Sequence, residues 1–151
     1  LKFIKLEFRY CFGFRYSNFE FITYMDPIAD FLNTLKTASK TGKESFTFPY
    51  SGIVAAIAAA LEKKGYLVSS KKTKKGRELE CILPASVGKA ERITGARRVS
   101  HLSKRVYKKA REIRLIRSGF GTAVLSTPKG VLCDTDARAA RVGGEVLFEI
   151  W

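Results

Sequence analysis

After Met25 the apolar side chains Ile28, Phe31, Leu32 and Leu35 recur at i, i+3, i+4 and i+7, the spacing that lines up one helical face. Asp26 can cap that helix with Pro27 at its first position, and the pattern predicts a run to about Ser39. Phe46 and Phe48 alternate with polar neighbours and predict a short strand that Pro49 ends. Ser51 then starts a second helix, with Ile53, Val54, Ile57 and Leu61 expected as its apolar face and Gly65 as its stop. Strands are predicted near 66–70 and 78–83, joined by Lys71-Lys72-Thr73-Lys74-Lys75-Gly76-Arg77, five cations in seven residues at a hairpin tip. The order is αβαββ.

Pro, Ser and Gly around 84–88 mark a linker. Extended residues are expected beyond it to about Val99. A short helix is expected at 111–118, broken by Gly119-Phe120-Gly121. Strands follow at 122–126 and 131–133, then a helical turn over 135–141 capped by Asp134, and Gly143-Gly144 leads into a last strand at 145–151. The expected fold is α+β with two small domains: a sandwich-like αβαββ unit over 25–84 and a mostly β unit with short helices over 85–151.

Residues 1–24 stand apart, with nine of the chain's 18 aromatics. From Ile4 to Tyr16 the even positions are apolar or aromatic and the odd ones mostly polar or glycine, a pattern that could add a strand. The favoured expectation is an extension that is upstream sequence, untranslated in the cell, or disordered. Lys5, Glu7, Arg9 and Arg15 leave no apolar core of about 7–15 residues, so no signal peptide is expected.

Composition sharpens this outline. The 151 residues hold 28 Lys+Arg against 14 Asp+Glu, a formal net charge of +14, and 46% are hydrophobic. Such a field attracts polyanions, nucleic acid or an acidic membrane surface. Charges interrupt every apolar run before the roughly 18 residues a membrane span needs, so no membrane partner is expected. The excess concentrates late: 25–84 carries +4 and 85–151 carries +8, with nine Lys/Arg and one acid between Arg97 and Arg117. The second unit is the expected polyanion face. Cys11, Cys81 and Cys133 are odd in number and far apart, which argues against a disulfide framework or zinc cage and fits a reducing compartment. His101, the only histidine, has no acid or cysteine at ligand spacing, so neither metal nor cofactor is expected.

The candidate chemistry lies in Ser126-Thr127-Pro128-Lys129-Gly130, a strand end entering a Pro/Gly turn, with two hydroxyls and a lysine expected at the tip. Such a turn lets backbone N–H groups and hydroxyls approach phosphate, ribose or base edges. Ser126 and Lys129 also fit the S-x-x-K of serine acyl-transfer enzymes, but Pro128 and Gly130 disfavour the helix start that nucleophile requires. Tyr107 sits among Lys104, Arg105, Lys108 and Lys109, an aromatic interleaved with cations that can stack on a base or pack in a sheet face. Glu145 after Gly143-Gly144 can accept from a base amino group or orient the hydroxyl turn. Lys74 and its neighbours form either a solvated loop or a phosphate clamp. Asp134 and Asp136 read as capping residues.

These motifs bring a family into view. Asp26-Pro27-Ile28-Ala29-Asp30, Pro49-x-Ser51, Gly65-Tyr66, Arg98-Val99-Ser100, Arg105-Val106-Tyr107, Gly119-Phe120-Gly121-Thr122-Ala123, Ser126-Thr127-x-Lys129-Gly130-Val131 and Gly143-Gly144-Glu145-Val146 stand in one order and spacing. From Met25 on, the chain resembles the family of the eighth protein of the small ribosomal subunit, in its bacterial or organellar form. The resemblance implies a non-enzymic structural constituent that binds the central domain of 16S-type rRNA directly and helps assemble the platform. It implies neighbouring small-subunit proteins as partners and admits the protein's own messenger RNA. The implied place is the cytoplasmic ribosome, or an organellar one. The implied RNA-binding residues are Tyr107, Ser126, Thr127, Lys129, Gly130 and Glu145; the charge pattern adds Arg105, Lys108 and Lys74. Three departures stand out: Pro128 replaces a common serine and removes a hydroxyl and an N–H, Leu102-Ser103 replaces Pro-Gly before the tyrosine, and Thr37 replaces asparagine. The alternatives are a generic basic RNA- or DNA-binding module and the Ser126/Lys129 acyl-transfer enzyme.

Overall fold

A computed structural model describes residues 26–73, 76–84 and 93–151. The alternation within 1–24, Cys11, Lys74 and most of the expected linker lie outside the described residues.

The Asp26 carboxylate accepts the N–H groups of Ile28 at 3.0 Å and Ala29 at 3.3 Å, which satisfies two donors at the start of α1 (Pro27–Lys40). Ile28, Phe31, Leu32, Leu35 and Ala38 form its buried stripe, as the spacing requires. Phe31 meets Phe48 of β1 (Ser45–Pro49) edge-on at 5.4 Å and Phe46 at 5.9 Å, so helix and strand are locked through three rings. Ser51 caps α2 (Gly52–Lys63) by accepting from Val54 N–H at 3.3 Å. The strands β2 (Ser69–Lys72) and β3 (Glu78–Ile82) complete an antiparallel sheet of order β1-β3-β2.

The second sheet holds β4 (Ala96–Arg98), β5 (Tyr107–Lys108), β6 (Thr122–Thr127), β7 (Gly130–Cys133) and β8 (Gly144–Ile150), all antiparallel. Its order is β4-β8-β6-β7, with β5 paired to the start of β8. The helix α3 (Asp134–Ala139) follows β7. The larger core joins α1, α2, β1 and β3 to Val124, Cys133, Leu147, Phe148 and Ile150, while Ile113, Ala123, Leu125, Ala137 and Val146 make a smaller one. The second sheet therefore buries apolar residues on both of its faces, while Tyr107 on β5 stays exposed. Asp26 ties the two parts further through Arg98 Nε at 3.0 Å.

Four expectations are corrected. Ile53 is 40% exposed; α2 turns Val54, Ile57, Ala58, Ala60 and Leu61 inward, since small alanines let it approach β7 closely. The strand expected at 66–70 begins only at Ser69, because Tyr66 and Leu67 leave the ladder to fill the core. No helix spans 111–118: 3₁₀ turns at Ala110–Glu112 and Arg117–Gly119 flank extended residues, where Ile113 is buried and Ile116 bridges to Gly121. Asp134 is the first residue of α3 rather than its cap. At 2% exposure its carboxylate needs partners, and it takes the Thr122 hydroxyl and Arg138 Nη2 at 3.2 Å.

Candidate nucleic-acid interface

Strand register brings the candidate residues together. Tyr107 lies opposite Glu145, Glu145 opposite Ser126, and Ser126 opposite Val131, one row across β5, β8, β6 and β7. Residues directly opposite in a ladder project to the same face. The adjacent pair, Leu125 and Val146, is buried in the smaller core, so the Ser126–Glu145 pair faces the other way. Tyr107 is 69% exposed, which decides against the packed-in-core reading of this ring.

Two glycines make the row possible. A Cβ on Gly144 would stand 2.1 Å from the Ser126 carbonyl oxygen, and one on Gly143 would stand 2.5 Å from that of Lys108. Only bare backbone lets β8 enter between β5 and β6 at this distance. The β5 segment is fixed by Ser100, fully buried, whose hydroxyl accepts Val106 N–H at 3.1 Å, and by Val146 N–H donating to Val106 at 2.8 Å. Ser100 escaped the sequence reading as a site residue; its only signal was its place in the Arg98-Val99-Ser100 motif. The turn built without Pro-Gly closes through reciprocal bonds between His101 and Lys104, at 2.8 and 3.1 Å, with Leu102-Ser103 at its tip. A β-bulge where β8 passes Val124 and Leu125 re-aims the strand just before the row.

The turn at the end of β6 differs from expectation in its chemistry. The Thr127 hydroxyl donates to Gly130 O at 2.8 Å and accepts Lys129 N–H at 3.2 Å, so it builds the turn and does not stand free at the tip. Ser126 lies one residue back, in the row. The exposed tip is Pro128-Lys129, where the proline ring's fixed φ suits a first turn position, and Gly130 closes it at φ +103°. Ser126 in mid-sheet is not the helix-start nucleophile of an acyl-transfer enzyme.

Charge completes the site. Arg105 Nη1 donates to Glu145 Oε1 at 2.7 Å, and this hydrogen bond and charge raise the guanidinium's pKa further. The Glu145 carboxylate is mostly shielded, its side chain 14% exposed, and is fixed by this contact. Lys104, Lys108 and Lys129 make no ion pair among the described residues. Those residues include no cluster of metal-ligating side chains and no helix long and apolar enough to cross a membrane.

An α+β scaffold that aligns a phenol, a carboxylate and a hydroxyl near unpaired cations presents the kinds of group that structural RNA-binding proteins use. The Ribosomal protein S8 family model matches residues 26–151, and the chain belongs to that family. Its relatives include the small ribosomal subunit protein uS8 of Syntrophus aciditrophicus, 40% identical over 83% of this chain and 97% of the relative. The uS8 of Corynebacterium jeikeium is 39% identical over 86% of this chain and all of the relative, and that of Persephonella marina 41% over 83% and 98%. The family is one of ribosomal components without enzymatic activity.

Proposed function

We propose that this chain binds the central domain of small-subunit rRNA directly and helps organise the platform there, beside neighbouring small-subunit proteins. The observation that carries this reading is the single row Tyr107–Glu145–Ser126 beside the Thr127–Gly130 turn. The phenol offers a stacking face, Glu145 an acceptor for a base amino group, and Ser126 a donor and acceptor for ribose or base edges. Such a set suits an irregular RNA fold, since the major groove of a regular A-form helix is too deep and narrow for side chains. Arg105, Lys108, Lys129 and Lys74 contribute phosphate attraction that sets affinity without sequence choice. Any messenger RNA with the same fold, the protein's own included, would compete for this surface.

Filter binding of a central-domain transcript against an unrelated RNA duplex and DNA tests the proposal. Preference for the transcript is expected, with Lys74→Ala weakening all RNA binding and flattening the salt slope by up to about 0.9. Equal retention of the three ligands would refute it.

A further inference from the structure

The helix α3 ends in a left-handed residue that is neither glycine nor asparagine. Arg141 has φ +52°; its N–H donates to Arg138 O at 3.1 Å, and Val142 N–H donates to Ala137 O at 3.0 Å. This is the paired-bond helix stop in which glycine normally takes the left-handed place, because a Cβ there crowds the backbone. Glycine would make both bonds without strain, so the cap does not explain an arginine. Nor does neutralisation of the α3 C-terminus, since Arg138 already serves the last turn. The Arg141 side chain is exposed and makes no hydrogen bond or ion pair among the described residues.

What the strained position does achieve is placement. Arg141 lines a cleft of about 390 Å³ with Tyr107, Lys108, Lys109, Glu112 and Gly143. Three cationic residues thus line one cleft with the candidate stacking ring. The one acid among them, Glu112, accepts Lys109 N–H on Oε2 at 3.0 Å, and its single charge leaves the cleft's lining with a net positive charge.

We propose that Arg141 is a further RNA-binding residue, whose guanidinium holds a backbone phosphate in this cleft next to the nucleotide that packs on Tyr107. The inference rests on the RNA-binding reading above. The guanidinium fork matches two phosphate oxygens, and strain at one residue is the form in which folds retain a functional side chain.

Two properties should move in opposite directions. Arg141→Gly and Arg141→Asn are expected to melt a few degrees higher than wild type, having lost the strain. They should bind the central-domain transcript about three- to tenfold more weakly, with a salt slope flatter by roughly 0.7–0.9. Arg141→Lys keeps charge and strain but loses the fork, and is expected to keep the wild-type salt slope while binding more weakly than wild type and more tightly than the glycine variant. Unchanged affinity and slope in the glycine variant, or a lower melting temperature, would overturn the inference. Tyr107→Ala in the same series separates the causes. If it weakens binding and Arg141→Gly does not, only the role of Arg141 falls; if neither does, the RNA-binding reading falls and the inference with it.

Discussion

Arg105 Nη1 donates to Glu145 Oε1 at 2.7 Å, so one oxygen of the row's only carboxylate is fixed while Oε2 has no hydrogen-bond partner among the described residues. A fixed acceptor amid cations discriminates: it favours a base amino group and repels a phosphate that slides too close. Glu145→Gln keeps the shape and removes the charge. It is expected to lose about ten- to a hundredfold in affinity for the central-domain transcript, with little change for an unrelated duplex. Paired titrations on the two RNAs check this, and an equal loss on both would assign Glu145 a merely general role.

Gly144 is the structural hinge of the same row. With a Cβ only 2.1 Å from the Ser126 carbonyl, Gly144→Ala must push β8 away from β6. The expected cost is about 3 kcal/mol or more, read as a lower midpoint in urea. A midpoint within error of wild type would show that the strands have room to part.

Asp26 links acid stability to the join between α1 and β4. Partial burial pushes its carboxyl up, but the hydrogen bond and charge of Arg98, with the N–H groups of Ala29 and Ile28, outweigh this and leave it below its ordinary 3.8. A carboxyl held lower in the folded state binds its proton more readily when unfolded. Its contribution is therefore complete above pH 3.8 and is lost as pH falls through the folded value. Asp26→Asn, which still caps the helix, is expected to be less stable than wild type at pH 7 and to lack this part of the acid loss. Urea midpoints from pH 7 down to pH 3 give the comparison.

Burial, above all, pushes the thiols of Cys81 and Cys133 up to about 11, and Cys133 also donates to the Ala60 carbonyl at 3.4 Å. Neither is a reactive thiolate at neutral pH. Peptide mapping after treatment with an alkylating reagent at pH 8 should find both unmodified in the folded protein and modified in denaturant. Rapid native labelling of Cys133 would mean that the α2–β7 contact opens.

Much of this was legible in the residues. Helical spacing and side-chain caps at Asp26 and Ser51 located α1 and α2, because local bonds decide those starts. Alternation and turn residues located β6, β7 and β8 to within a residue or two, but not β5 or the order of the strands in the sheet. Tertiary partners decided the rest: Asp134 has the composition of a cap, yet Thr122 across the sheet draws it inward. Ile113 and Ile116 have helical spacing, yet one is buried and the other bridges to Gly121. The candidate site was legible as residue types but not as geometry. Tyr107, Ser126 and Glu145 lie 19 residues apart each, and only the pairing of β5 and β6 on β8 puts them in line. That Thr127 is consumed by its own turn shows only in the hydrogen bonds.

The most direct measurement is chemical footprinting on naked small-subunit rRNA with wild type and a Tyr107→Ala/Glu145→Gln double variant. One compact protected patch in the central domain is expected with wild type, absent with the variant at the same concentration. Protection scattered along many helices, identical for both proteins, would contradict it.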